Sequence, residues 1–258
     1  MSTIIARASE DTHWYREDGA PQYTVVAKNG SDRPTTLRDA RSMSLVPSVT
    51  TIIKVASAPG LEKWKLEQML LAAMTLPKRP NELEKDYIAR IVHDSKETGK
   101  QAAEAGTRIH ESIQGHYEDA PTGRHQESVA ACVAEITKHF GERIWISERS
   151  FASKMGFGGK CDLFCAGSLN VVIDIKTKEF GPDDKIDAYA EHGMQLAAYR
   201  EGLEIPDARC ANVFVSRSHP GVVKVVEWSA EDLDRYWQMF KCLLEFWKLK
   251  NKFGENNG

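Results

Sequence analysis

The 258-residue chain has no uninterrupted apolar stretch near the ~20 residues of a membrane-spanning helix, which argues against a membrane span. Its first residues, MSTIIARASEDTHW, lack a long apolar region and turn acidic early, so neither a signal nor a transit peptide is expected. The expected setting is therefore cytoplasmic. Nor is there a surplus of positive charge: 34 Lys+Arg stand against 37 Asp+Glu, for a formal net charge of −3. That argues against a protein that coats nucleic acid by bulk charge, but leaves room for a local basic groove. Only five cysteines occur, an odd number with no C-x-x-C, so a disulfide framework is not expected. Cys161 and Cys165, four apart in a predicted strand, are expected on one face as buried thiols rather than metal ligands. There is no internal repeat, P-loop or nucleotide-binding glycine fingerprint.

What is present is ordinary for a folded chain, with 41% hydrophobic and 28% charged residues. Residues 13–26 flank Asp18-Gly19 with aromatic and β-branched residues, which predicts a hairpin. Residues 29–42 read as an exposed loop, followed by the short apolar segment VPSVTTIIKV. Helices are predicted over 61–76, over 81–117 with a break near Ser95–Gly99, and over 126–140 with a stop at Gly141. From Arg143 the period changes to that of strands: RIWISERSFAS, FGGKCDLFCAG and LNVVIDIKTKE. A helix over 184–203, two further strands and a last helix opened by Ser229 complete the pattern. The expected organisation is one α/β domain over 1–258, divided into an N-terminal hairpin and loop (1–60), a helical portion (61–142) and a sheet with flanking helices (143–258).

Chemistry is suggested first by LNVVIDIKTKE. Alternation puts Val171, Ile173 and Ile175 on one side and Val172, Asp174 and Lys176 on the other. A carboxylate and an ammonium two residues apart can meet at a common site, or form a surface ion pair of little consequence. The flanking VVIDI is apolar, as in interior strands, and a buried charge must be paired or bound to a metal. One strand earlier, Asp162 follows Gly158-Gly159, and glycines in a strand often mark a close backbone approach. Antiparallel pairing through the GSLN connection would bring Asp162 near Asp174. Two adjacent carboxylates repel unless a cation lies between them, and oxygen-rich sites suit Mg²⁺ or Mn²⁺. His110 shares an inward helical stripe with Ala103, Gly106, Ile113 and Tyr117, and reads either as a third ligand or as a satisfied core histidine.

GTRIH (106–110), GGKCD (158–162), DIK (174–176) and QLAAY (195–199) follow in this order, each on the expected element type. Together they resemble the PD-(D/E)XK nuclease superfamily, and within it the RecB-like and mitochondrial genome-maintenance exonuclease branch with its phage relatives. HWYREDGAPQY and VPSVTTIIK also look like the N-terminal portion of that group, so the likeness runs from about residue 13 to 200. It implies a mixed central sheet flanked by helices, with a helical N-terminal portion forming a wall or arch over the site. It further implies that His110, Asp162, Asp174 and the Ile175 carbonyl hold Mg²⁺ or Mn²⁺. Asp162, Asp174 and Lys176 would be catalytic, with Lys176 orienting the attacking water, while Gln195 and Tyr199 would contact the scissile phosphate. The implied activity is a metal-dependent DNA exonuclease working from free single-stranded or duplex ends, in repair, recombination or replication. A structure- or sequence-specific endonuclease and a catalytically silent DNA-binding or recombination module are the alternatives. DNA is the expected partner, with a recombination or single-strand-binding protein as a further candidate. The clustered cysteines of iron–sulfur relatives are missing, so no such cluster is expected.

Five further features stay open on the residues alone. Glu148, on the strand before Asp162, reads equally as surface charge or site residue. Ser48 and Thr50 could donate to a phosphate or cap a helix. Trp64, between Lys63 and Lys65, could stack on a base, and Lys63, Lys65, Arg108 and Lys178 could line a basic groove with Arg108 touching substrate. Trp237, Phe240, Phe246 and Trp247 on the last helix are expected in the core, and Lys248, Lys250 and Lys252 at its solvated end.

Overall fold

The computed structural model describes residues 13–56, 59–167 and 169–254. The leader reading falls on residues 1–12, and part of the GSLN connection on Ser168; both lie outside the described residues. The centre is a five-stranded mixed sheet: β5 (Ile146–Ser153), β6 (Phe157–Cys165), β7 (Val171–Lys178), β8 (Arg209–Ser216) and β9 (Val223–Trp228), in that spatial order. Only β7 and β8 run parallel, joined by helix α6 (Ala190–Gly202), as a parallel pair needs a crossover. Helices flank the sheet, an arrangement consistent with the nuclease fold expected from the motifs.

The alternation expected along β7 is present and separates two cores. Val171, Ile173 and Ile175 pack with α5 (Gln126–Phe140) and the C-terminal half of α4 (Glu84–Tyr117). Val172 faces α6 and α7 (Ala230–Lys250) on the other side, with α2 (Val49–Ile53) completing that core. Asp174 and Lys176 share the parity of Val172 and so look toward α6. Along β6 the expectation for the thiols is corrected: Cys161 belongs to one core and Cys165 to the other. Strand parity slips between them, at Asp162. Cys132, Cys161, Cys165 and Cys210 are all buried thiols, and Cys242 is exposed.

Several boundaries differ from expectation. The turn at Asp18-Gly19 forms, with Gly19 at φ 82°. It closes the expected hairpin, with Tyr15 bridged antiparallel to Pro21 and Gln22 N–H donating to the Trp14 carbonyl, while β1 (Trp14–Tyr15) also pairs with β4 (Val46–Pro47) and β2 (Thr24–Val26) lies beyond the hairpin. Residues expected as loop supply β3 (Asp32–Pro34), the partner of β2, and α1 (Leu37–Ser42), nucleated by a capping box between Thr36 and Asp39. Helix α6 begins at Ala190 instead of Asp184, because the Asp184 carboxylate closes a turn by accepting from Gly181 N–H at 2.6 Å. On α7, Phe240 and Trp247 are buried as expected, but Phe246 is 54% exposed.

The predicted break near Ser95–Gly99 is absent, and α4 runs unbroken for 34 residues. Its N-terminal half pairs antiparallel with α3 (Pro59–Thr75): Tyr87 Oη donates to the Leu76 carbonyl at 2.8 Å, and the Trp64 ring lies across Gly99. That packing outweighs the weak helix propensity of glycine. Among the described residues no helix is long and apolar enough to cross a membrane.

Candidate functional site

The site forms where β6 and β7 part. Their ladder holds Cys165↔Val171, Phe164↔Val172 and Leu163↔Ile173, then stops. The next residues in register are Asp162 and Asp174, as antiparallel pairing predicted. In place of a backbone carbonyl, Asp162 Oδ2 accepts the Ile175 N–H at 2.5 Å. Glu148 stands opposite Asp162 on β5, between the pairs Ser147↔Leu163 and Arg149↔Cys161. It has φ 54°, a left-handed conformation uncommon for a residue with a side chain. The irregularity turns Glu148 inward toward Asp162 and pairs its carboxylate with the Lys160 ammonium.

From the other side, α4 brings His110. A methyl group at Gly106 would overlap Thr177 Oγ1, so glycine there lets α4 lie directly on β7. One turn on, His110 Nε2 sits 3.1 Å from Asp162 Oδ2. Ligand atoms of His110, Glu148 and Asp162 all lie within 4.8 Å of one another, a grouping able to hold a metal ion. One imidazole nitrogen with carboxylate oxygens fits a hard or borderline divalent ion. Asp174 stands outside that tight trio.

Asp174 is instead wrapped in donors and only 2% exposed. Lys176 Nζ lies 3.0 Å from Oδ1 and 2.9 Å from Oδ2. Gln195 Nε2 donates to Oδ1 at 2.7 Å and also contacts Tyr199 Oη at 2.8 Å, while Gln195 Oε1 accepts from Lys176 at 3.0 Å. The Gln195/Tyr199 spacing of one helical turn thus serves one connected network. The Tyr199 ring lies against Gly159, where a Cβ would come within 2.8 Å of it, so the GGK glycines do mark a close approach.

The two aspartates titrate in opposite directions. Burial raises the Asp174 carboxyl to about 6, with Lys176 opposing and Asp162 adding to the shift. Burial also pushes Asp162 upward, but the charge and hydrogen bond of His110, then Lys176 and the Ile175 N–H, outweigh it and hold it below 3.8. His110 is the reciprocal case: burial lowers it, and Asp162 more than compensates, leaving it above 6.5. Tyr199 is raised well above 10, chiefly by burial, and so stays a neutral hydroxyl.

A groove of about 1290 Å³ opens beside Lys176 and Gln195, bounded by α3 and α4 on one side and by β7 and α6 on the other. Trp64, Lys54, Lys65, Lys178 and Arg217 contribute to its lining. A smaller recess of about 350 Å³ runs between α4 and β7 past His110, Ile175 and Lys176. Expected residues fall into place unevenly. Trp64, Lys65 and Lys178 line the groove, while Lys63 is paired with Glu67 on the exposed side of α3. Arg108 is exposed and lies about 200° around α4 from His110, away from the site. Ser48 is buried as the N-cap of α2, its hydroxyl accepting from Thr51 N–H at 3.0 Å and donating to Thr51 Oγ1 at 2.8 Å.

The sequence reading missed Arg217, His192 and Asn212. His192 lines the groove one turn before Gln195, and burial lowers its pKa to about 3, so it is neutral. Asn212 is fully buried on β8. A lone amide in the apolar run CANVFVS was the available signal.

No protein-family model and no curated protein matches the chain. Among solved structures it is similar to a candidate exonuclease from Eubacterium rectale, at 10% identity and a TM-score of 0.40, over 58% of this chain and 69% of that one. It is also similar to an alkaline exonuclease from Laribacter hongkongensis, at 15% identity and a TM-score of 0.31, over 73% of this chain and 97% of that one. At such scores these likenesses are faint, and the functional reading rests on the geometry of the site.

Proposed function

We propose that the protein is a divalent-metal-dependent deoxyribonuclease that works as an exonuclease on single strands or duplex ends. One observation carries the reading: the fork of β6 and β7 gathers His110, Glu148 and Asp162 next to the Asp174–Lys176–Gln195 network, at the edge of an open groove with basic side chains. His110, Glu148 and Asp162 are the donors for Mg²⁺ or Mn²⁺, with Asp174 and the Ile175 carbonyl as further ligands on the family pattern. Bound there, such an ion lowers the pKa of water and offsets charge building on a phosphate.

The remaining chemistry belongs to side chains of this chain. Lys176 holds a positive charge at the mouth of the groove, ready to leave Asp174 for a non-bridging phosphate oxygen. Gln195 bridges Lys176, Asp174 and Tyr199, and keeps the ammonium oriented while the phosphate arrives. Water adds at phosphorus, and the phosphorus–oxygen ester bond breaks to leave a phosphate and a free hydroxyl. Trp64 lines the groove as a ring on which bases could stack, and Lys65, Lys178 and Arg217 offer charge to the backbone, a combination suited to a single strand.

The charge balance fits. A mildly acidic chain holds DNA through a local lining, and its site carboxylates are offset by the ion.

Digestion of end-labelled linear and closed circular DNA with Mg²⁺, Mn²⁺ or EDTA tests the proposal. Linear DNA is shortened with either metal, circles survive, and EDTA stops the reaction. Cleavage of circles would replace exonuclease by endonuclease; no cleavage and no Mn²⁺ uptake would favour a silent DNA-binding module.

A further inference from the structure

Asn212 sits beside Asp174 in the parallel register of β7 and β8, and none of its surface is exposed. An amide has its donors on one atom and its acceptor on the other, so the partners decide which way it points. Trp228 on β9 decides it here. An indole N–H can only donate, and Trp228 Nε1 lies 2.8 Å from Asn212 Oδ1. The Asn212 nitrogen is thereby turned toward Asp174, where it donates to Oδ2 at 2.8 Å. Trp228 is itself braced edge-on against Tyr236, at 5.3 Å between ring centres.

The arrangement mirrors the other side of the carboxylate. Gln195 is oriented by a donor-only group, Lys176, and presents its nitrogen to Oδ1. The Asp174 carboxylate is therefore clamped between two amides, each fixed in orientation by a group that cannot accept. Gln195 reaches the groove; Asn212 does not, and it can influence chemistry only through Asp174.

We propose that Asn212, held by Trp228, is a positioning residue that fixes the rotation of the Asp174 carboxylate for ion binding and phosphodiester cleavage. The inference rests on the nuclease reading above. Groups behind a ligand typically alter metal affinity or activity about 10- to 100-fold.

The test uses the full chain with Asn212→Ala, Trp228→Phe and the double variant. It reads kcat and KM on linear DNA, Mn²⁺ affinity by calorimetry, and the melting temperature. Asn212→Ala lowers kcat and Mn²⁺ affinity about 10-fold or more while KM for DNA stays within about 2-fold. Trp228→Phe keeps an aromatic ring against Tyr236 at a partly buried position but deletes the N–H with three ring atoms, and the freed amide lowers kcat several-fold. In the double variant, Trp228→Phe adds no further loss of kcat, although it still lowers the melting temperature.

Unchanged kcat and Mn²⁺ affinity in Asn212→Ala, or additive losses in kcat, overturn the relay. Should Asn212→Ala fail to fold, Trp228→Phe alone decides, and wild-type kcat in it overturns the inference. A wild-type chain that neither takes up Mn²⁺ nor cuts DNA overturns the nuclease reading and this inference with it. A wild-type chain that cuts, beside an Asn212→Ala variant of equal kcat, overturns this inference alone.

Discussion

Helix α4 passes through two different regimes. Its C-terminal half is locked onto the sheet: Ile109 and Ile113 enter the core with β7, and Gly106 lets the backbones meet. Among the described residues its N-terminal half packs mainly on α3 and, through Arg90, on the connection at Pro77 and Glu82, and only Ala72 of α3 is buried. The outward face of α3 leaves Leu70 and Met74 exposed, the latter at 83%. One end holds His110 by close packing on the sheet, and the other forms one bank of the groove with little core behind it. A site that must hold a ligand geometry needs the first regime, whereas a bank along which a polymer passes does not. The comparison predicts that perturbations of similar size act very differently at the two ends.

The largest effect is expected at the fork. Asp174→Asn lowers cleavage on the order of 10³-fold or more, the scale for removing a group at the reacting centre. The Asp174 pKa of about 6 lies above its ordinary 3.8, so its ionisation opposes folding as pH rises from about 4 through 6. Asp174→Asn removes that charge but also turns an Nδ2 donor against Gln195 Nε2 or Asn212 Nδ2, so without metal it melts below wild type, and the gap widens as pH falls from about 6 toward 4; thermal scans with EDTA check both. A melting temperature at or above wild type at pH 7 to 8 would show that the Asp174 charge outweighs the lost acceptor.

Next comes the contact that seats α4. Gly106→Val forces side-chain atoms into the space of Thr177 Oγ1, and overpacking of this kind costs about 1–3 kcal/mol. Because His110 lies one turn on, Mn²⁺ affinity falls along with stability, as melting and calorimetry together would show. A variant with wild-type Mn²⁺ affinity would mean that His110 is placed by something other than this contact.

A smaller, graded effect follows from protonation. Imidazole must be neutral to bind a metal, and Asp162 holds the His110 pKa above 6.5. Protons therefore compete into the neutral range, and Mn²⁺ affinity drops between pH 8 and pH 6, by up to about tenfold per unit below the His110 pKa. Asp162 stays ionised throughout, since its pKa is held below 3.8. His110→Gln flattens the slope, and calorimetry at several pH values measures it.

The same division governs what could be read from sequence. The strands were legible because residues of alternating polarity must face alternating sides, and β7 divides its side chains as predicted. The Asp162/Asp174 opposition followed from one tight connection and antiparallel register. The parity slip at Asp162 was not legible: it coincides with the Asp162 carboxylate accepting the Ile175 N–H and with left-handed Glu148 across the ladder, neither of which leaves a periodic trace. Nor was Asn212, whose role depends on a tryptophan sixteen residues on across a strand pair. Ser48 carried two meanings in sequence, and local geometry selected the cap. In the helical hairpin that α3 forms with the N-terminal half of α4, propensity alone argues for a break at Thr98-Gly99, whereas the Trp64 ring packs across it and the helix continues.

That last disagreement supplies the finest test of the two regimes. Gly99 and Gly106 lie on the same helix, two turns apart, and glycine has opposite meanings at them. At Gly99 a Cβ would meet the Trp64 ring at 3.6 Å, an ordinary contact, and φ is not left-handed. Gly99→Ala thus removes the propensity penalty of about 0.8–1.0 kcal/mol without a clash. If the hairpin unfolds together with the sheet, the gain raises the melting temperature by about 2–4 °C. If the hairpin opens first, as its sparse core predicts, the gain slows hydrogen exchange of amides in α3 and the N-terminal half of α4 by about four- to fivefold. The melting temperature then stays where it was, since global unfolding starts from a chain whose hairpin is already open. Slowed exchange confined to the hairpin supports two regimes in one helix; a matching slowdown in β7 and α5 would make α4 a single cooperative element.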